Sequence, residues 1–232
     1  MNAYITRGDG IDRLERVRLA EPEPGEREVL VQLRAAALNY RDLLVVRGVG
    51  GWKPSGPRIP VSDGVGIVVA RGRSVSRVRV GDRVAGIFLP RWLDGELDAG
   101  VYTDSLGGAQ ADGGVTERRG FVEAAVVTVP AHLSDLEAAT LPVAAVTAWH
   151  AVRRRSNVAA GESVLIQGTG GVALAALQFV RALGGRAIVT SSSDEKLARA
   201  RALGAEATVN YRTNPGWETQ VPYVVTSESA EG

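Results

Sequence analysis

The chain has 232 residues, with 27 basic and 26 acidic side chains and a formal net charge of +1. Hydrophobic residues make up 45% and charged residues 23%, close to the average of globular proteins, which excludes a disordered chain. Cysteine is absent and the histidines are His132 and His150, so disulfides and thiolate zinc sites are excluded and an all-histidine zinc site is disfavoured.

The near-neutral charge, with basic and acidic residues interleaved, offers no footprint for nucleic acid. No apolar run reaches the roughly 18 residues of a membrane-spanning helix. Met1-Asn2-Ala3-Tyr4 lacks the basic-then-apolar pattern of a secretory signal, so the expected location is cytoplasmic.

In chain order, the first half reads as β structure. A strand is expected over Val29-Leu30-Val31-Gln32-Leu33-Arg34-Ala35, after the turn Pro22-Glu23-Pro24-Gly25. A second covers Gly64-Val65-Gly66-Ile67-Val68-Val69-Ala70. Residues 75–80 then lead through the turn Gly81-Asp82 into Arg83-Val84-Ala85-Gly86-Ile87-Phe88, and a further strand covers residues 121–129. Short strands with glycine turns suggest a small barrel. The polar, Gly- and Asp-rich residues 90–114 read as a long surface loop.

The second half changes period. Ser134 and Glu137 form a capping box that starts a helix near Asp135. Pro142 interrupts it, and another helical run covers residues 144–154. A strand over Ser163-Val164-Leu165-Ile166-Gln167 is followed by Gly168-Thr169-Gly170-Gly171 and a helix over residues 172–183. The strand Ala187-Ile188-Val189, a helix capped at Ser192-Ser193-Asp194-Glu195 and ended by Gly204, and the strand Ala207-Thr208-Val209-Asn210 complete a β-α-β-α-β unit.

The run Gly168-Thr169-Gly170-Gly171-Val172-Ala173 fits G-x-G-x-x-A in its meaningful setting, after a strand and opening a helix. Gly168 permits the tight turn, Gly170 admits a pyrophosphate to the backbone, and Ala173 allows close helix–strand packing. The helix N-terminus offers free N–H groups and a positive dipole end to the anion. A glycine turn that merely packs is the rival reading. Past the glycines, NAD binding asks for an acidic residue at the end of the second strand. Thr190-Ser191-Ser192-Ser193 stands there instead. Ser191, Ser192 and Lys196 supply the hydroxyls and the cation that a 2′-phosphate wants, and Tyr211 or Arg212 lies near the adenine. NADP is therefore favoured over NAD. The serines also serve as helix caps, and both roles are compatible.

Several segments together resemble the medium-chain dehydrogenase/reductase superfamily, the zinc-type alcohol dehydrogenase and quinone oxidoreductase group. They are Asn39-Tyr40-Arg41-Asp42-Leu43-Leu44, Ile59-Pro60-Val61-Ser62-Asp63-Gly64-Val65-Gly66, Val80-Gly81-Asp82-Arg83-Val84, Ala138-Ala139-Thr140-Leu141-Pro142, Thr147-Ala148-Trp149 and Gln167-Gly168-Thr169-Gly170-Gly171-Val172. The resemblance implies an α/β fold: an N-terminal GroES-like β-barrel domain over residues 1–131, then a Rossmann-type parallel unit over 132–222, present as its first half, and a polar tail over 223–232. Residues 220–225 would add one strand. The three metal-ligand positions of zinc-binding members fall on Asn39, Ser62 and Val143. The implied protein is therefore a zinc-independent oxidoreductase that passes hydride to or from a quinone, an activated alkene, or a carbonyl or alcohol.

Asn39, Tyr40, Arg41 and Asp42 are the implied catalytic motif, with Tyr40 a hydrogen-bond or proton donor and Arg41 a holder of an anionic group. The rival is that Tyr40 packs in the barrel while Arg41 and Asp42 pair with neighbours. Thr147 matches the position that contacts the nicotinamide amide; with Gly168, Thr169, Gly170, Gly171, Val172, Ser191, Ser192, Lys196 and Tyr211 it makes up the implied cofactor site. Trp52, Trp92 and Trp149 line a substrate pocket or fill core. The expected partner is a small-molecule substrate, with no nucleic acid and no membrane. Relatives are typically homodimers through the far edge of the sheet, a contact this short chain is expected to lack. The alternative function is a truncated, non-catalytic nucleotide-binding or partner-binding protein.

Overall fold

The computed structural model describes residues 1–92, 94–96 and 104–219. The chain divides into two compact units, Met1–Val143 and a second from Ala144 onward. The helix expected near Asp135 belongs by its contacts to the first unit, so the division falls after Val143.

The first unit is built on five antiparallel strands: β3 (Glu28–Ala37), β4 (Asp63–Arg71), β5 (Arg83–Gly86), β6 (Arg118–Val122) and β7 (Val126–Thr128), in the order β6-β3-β4-β5-β7. β6 and β7 lie at opposite edges of this sheet, yet only the 3-10 turn Glu123–Ala125 separates them. The sheet must therefore curl to bring its edges together. Its concave side collects Val29, Val31, Val68, Val84, Phe121 and Val126 in one core. A single strand over residues 121–129 is thus corrected to two strands, because the chain crosses from one edge to the other there. Residues 75–80 form no strand; Val75 and Val78 instead plug the same core.

Two elements escaped the sequence reading. The first is a hairpin of β1 (Asn2–Ile5) and β2 (Glu15–Arg18). The second is the helix α1 (Tyr40–Val46), opened by a capping box in which Asn39 and Asp42 satisfy each other's backbone. The helix α2 (Asp135–Ala139) starts at the Ser134–Glu137 capping box as expected. The described part of residues 90–114 is not all surface: Ser105, Leu106, Gly107, Gly108, Gly113 and Gly114 are buried. A long, wholly exposed loop is thereby corrected to one whose later half packs against residues 59–63.

The second unit has three parallel strands, β8 (Ser163–Gln167), β9 (Arg186–Ser191) and β10 (Ala207–Asn210), in the order β10-β9-β8. The short helix α3 (Val146–Trp149) lies between two π-helical turns, Leu141–Ala145 and His150–Arg155. Pro142 has no N–H and its ring crowds the preceding turn, which widens the helix where a regular one was expected. Helices α4 (Gly171–Ala182) and α5 (Asp194–Ala202) bury Leu177, Val180, Leu197 and Ala200 against Ile166 and Val189. Gly204, at φ +93°, ends α5 in the left-handed conformation that only glycine takes without strain. The expected strand over 220–225 and the tail 223–232 lie outside the described residues.

Candidate functional site

Parallel pairing puts the ends of β8, β9 and β10 at one edge of the second unit. Ligands of open parallel sheets bind beyond such carboxyl edges. Gly168 follows β8 at φ +90°, and among the described residues none beyond the chain neighbours lies within 4 Å of where a Cβ at Gly168 or Gly170 would stand. Gly170 is the N-cap of α4 and, having no side chain, makes no capping hydrogen bond to the first N–H groups of that helix. Thr169 is half-buried and Val172 is exposed. This is an open, positively polarised backbone cradle, and it fits the pyrophosphate of a dinucleotide.

At the end of β9, Thr190 and Ser191 are buried, Ser192 is half-buried, and the Lys196 side chain is exposed. Ser191 Oγ accepts from the Ser193 N–H at 3.3 Å, and Ser193 Oγ caps α5 through the Lys196 N–H at 3.4 Å. Tyr211 follows β10, is exposed, and its N–H donates to the Ser191 carbonyl at 3.1 Å. Sheet pairing thus gathers Gly168, Thr169, Gly170, Gly171, Val172, Ser191, Ser192, Lys196 and Tyr211 along one edge. Thr147 is exposed on α3. Trp149 packs edge-on against Phe179, ring centroids 5.2 Å apart.

In the first unit, the motif 39–42 meets residues 62–63. Asn39 Nδ2 donates to Asp63 Oδ2 at 2.9 Å and to Ser62 Oγ at 3.3 Å. The Val143 N–H donates to the same Asp63 oxygen at 3.3 Å. Asp42 accepts from the Asn39 N–H at 2.8 Å, from the Ser62 N–H at 3.3 Å and from Arg41 Nη1 at 3.2 Å. Arg41 also reaches the Leu106 carbonyl at 2.8 Å and stacks near Trp52 and Phe88, at 5.0 and 5.1 Å from their centroids. Its guanidinium is engaged by this chain's own acceptors and rings, as in the neighbour-pairing reading. Tyr40 is 76% exposed and does not pack in the barrel.

Asp63 is fully buried, and its Oδ1 has no hydrogen-bond partner among the described residues. Burial pushes its carboxyl up to about 6, against the pull of the Asn39 and Val143 hydrogen bonds; nearby Asp42 adds to the rise and Arg41 opposes it. Burial likewise raises Asp42, against its hydrogen bond from the Asn39 backbone and the charge of Arg41. Before this cluster stands Val61, buried, at φ +75°, a strained conformation for a β-branched residue. The loop 107–114 clasps it: the Gly114 N–H donates to the Val61 carbonyl at 2.7 Å and the Gly113 N–H to the Ile59 carbonyl at 2.6 Å. Sequence reasoning did not select Asp63. Its only signal was its place in Ile59-Pro60-Val61-Ser62-Asp63-Gly64.

Residues 25–131 match the family described as the alcohol dehydrogenase GroES-like domain, and residues 171–226 match the zinc-binding dehydrogenase family. A zinc-type alcohol dehydrogenase-like protein of Schizosaccharomyces pombe is 42% identical over 213 residues, covering 90% of this chain and 61% of that protein. The chain belongs to the medium-chain dehydrogenase/reductase superfamily. A chloroplastic quinone-oxidoreductase homolog of Spinacia oleracea is 32% identical over 223 residues, covering 92% of this chain and 61% of that protein. The crystal structure of an NAD-dependent alcohol dehydrogenase superposes with a TM-score of 0.85 at 38% identity, covering 95% of this chain and 66% of that one. The chain thus spans less than two thirds of the length of these superfamily members.

The superfamily implies two groups, a nicotinamide dinucleotide and, in part of it, zinc. The glycine cradle fits the dinucleotide phosphates. The three positions aligned with zinc ligands do meet around Asp63, but they carry an amide, a hydroxyl and an aliphatic side chain. Zinc in such sites wants thiolate or imidazole, so these residues do not fit it. Among the described residues, no three His, Cys, Asp or Glu side chains are grouped to hold a metal. No described helix is long and apolar enough to cross a membrane.

Proposed function

We propose that this chain binds NADP(H) in its second unit and belongs to an oxidoreductase that moves hydride to or from a quinone, an activated alkene, or a carbonyl or alcohol, without catalytic zinc. The observation that carries this reading is the unobstructed Gly168–Gly170 turn at the uncapped start of α4, beside a β9 end that carries serines rather than a carboxylate. The NADP preference goes beyond the relatives, one of which is an NAD-dependent alcohol dehydrogenase.

A bound nicotinamide supplies or accepts the hydride. The chain's own residues have three tasks. The α4 N-terminus holds the pyrophosphate through backbone N–H groups. Ser191, Ser192 and Lys196 meet the 2′-phosphate with hydroxyls and a cation. A hydrogen-bond donor must also meet the charge that develops on a substrate oxygen when no metal does so. Both Nδ2 protons of Asn39 are spent on Ser62 and Asp63, and Arg41 is engaged. The Tyr40 hydroxyl is the donor of the motif 39–42 that stands toward solvent, and it takes this role in our reading.

Titration with NADPH, NADH and adenosine-2′,5′-bisphosphate, followed by nicotinamide fluorescence and calorimetry, tests this function. NADPH is expected to bind more tightly than NADH. Gly170→Asp puts a carboxylate into the phosphate cradle and should weaken NADPH by at least about a hundredfold, roughly 3 kcal/mol. Unchanged NADPH affinity in that variant would refute the cradle. Binding of the bisphosphate alone, with no turnover of quinones, enals or alcohols, would instead support a nucleotide-binding protein without catalysis.

A further inference from the structure

Parallel pairing gives the second unit two unlike edges. The carboxyl ends of the strands lie at one, and the segments that lead into the strands lie at the other. Those segments are residues 153–162 before β8, 181–186 before β9 and 201–206 before β10. Hydrogen bonds join them into one surface. The Gly161 N–H donates to the Gly184 carbonyl at 2.9 Å, the Arg186 N–H to the Glu162 carbonyl at 2.7 Å, and Arg181 Nη1 to the Leu203 carbonyl at 2.7 Å.

The formal net charge of +1 conceals what this edge carries. Arg153, Arg154, Arg155, Arg181, Arg186 and Arg201 stand on it, all exposed, against the carboxylates of Glu162 and Glu206. Glu162 is turned back on its own turn, where it accepts from the Ala159 N–H at 2.7 Å, and Glu206 forms only a long ion pair with Arg186, at 3.9 Å. The π-helical turn His150–Arg155, α4 and α5 all end at this edge, and one cation at each end answers the helix dipole. Arg153, Arg181 and Arg201 suffice for that. Arg154, Arg155 and Arg186 are in excess of it, and the side chains of Arg154 and Arg155 have no hydrogen-bond or ion-pair partner among the described residues.

Guanidinium forks match carboxylates and phosphates alike. Single-stranded nucleic acid also asks for aromatic platforms on which its bases stack. Residues 153–162, 181–186 and 201–206 contain no aromatic side chain. We propose that this arginine edge is a docking surface for an acidic, carboxylate-rich segment of a partner protein. It lies across the sheet from the Gly168–Gly170 turn, so the proposal stands apart from the nucleotide reading.

The probe is a peptide of about ten glutamates, titrated by calorimetry into the full chain at about 20 mM salt, where surface charges are least screened. The edge variant carries Arg153→Gln, Arg154→Gln and Arg155→Gln. A control carries Arg13→Gln, Arg16→Gln and Arg47→Gln, the same charge loss from exposed arginines of the first unit. The peptide is expected to bind the wild type, about tenfold more weakly the edge variant, and within about twofold of the wild type the control. If the edge variant does not fold, Arg186→Gln takes its place, with an expected loss of about threefold. No binding to the wild type, unchanged affinity in a folded edge variant or in Arg186→Gln, or an equal loss in the control overturns the proposal. Tighter binding of a single-stranded oligonucleotide of the same charge also overturns it, and gives the edge to nucleic acid instead.

Discussion

Asp63 shows how one buried group couples the first unit to pH. Its carboxyl rises from an ordinary 3.8 to about 6, chiefly through burial. Between those values the folded protein holds a proton that the unfolded chain has released. The stability that this proton represents is fully present below about pH 4 and is lost as pH rises through 6; it amounts to about 3 kcal/mol. Asp63→Asn keeps the size and one acceptor oxygen but does not titrate. Urea unfolding of this variant at pH 4.5, 5.5 and 7 should lack that downward slope, and a slope equal to the wild type's would remove Asp63 as its source. Tyr40 offers a second prediction at this scale. Tyr40→Phe should leave stability within about 0.5 kcal/mol, since the side chain is exposed. Turnover should fall by roughly a hundredfold or more if the hydroxyl meets the substrate oxygen. Turnover equal to the wild type's would return Tyr40 to the status of a surface residue.

Among the elements, the loop 107–114 and the start of β4 act as one device. The strained Val61 turn sets the direction in which Ser62 and Asp63 leave, and the glycine loop clasps it through backbone contacts. A Cβ at Gly113 would lie 2.1 Å from the Val61 carbonyl oxygen and 2.3 Å from that of Pro60, both backbone atoms with nowhere to move. Gly113→Ala should therefore destabilise the protein by about 2 kcal/mol or more and disturb the Asn39–Asp63 contact. Denaturant unfolding measures the first effect, and loss of the Asp63 pH dependence reports the second. The need for glycine at 113 comes from a contact with residues some fifty positions earlier, as the paired Gly113 N–H and Ile59 carbonyl show. In the sequence that glycine was only part of a Gly-rich loop.

Among the described residues, the cores of the two units share no residue. The first unit's gathers Val29, Val68 and Phe121, with a smaller cluster of Val65, Ala85, Ala138 and Ala139, and the second unit's gathers Leu177, Leu197 and Val189. Leu177 is fully buried in the second. Leu177→Ala should cost the second unit about 2–5 kcal/mol. Hydrogen exchange should then speed up at β8, β9 and α4 while β3 and β4 keep their protection. Equal loss of protection in both units would show that they unfold as one. The sequence by itself determined the properties carried by local pattern. Period and glycine spacing marked β8, α4, β9, α5 and β10 and the Gly168–Gly170 turn, because each needs only neighbours within a few residues. The Ser134 cap was legible for the same reason, whereas the Asn39 cap and its helix were not read. Only the tertiary structure decided the rest. The split of the strand at Val122, the burial of residues 105–108 and the strained Val61 each depend on segments far apart in the chain. So does the buried carboxyl of Asp63, where Asn39 and Val143 converge from 24 and 80 residues away. Contacts across such distances form only when the sheets close, so no local pattern in the residues announces them.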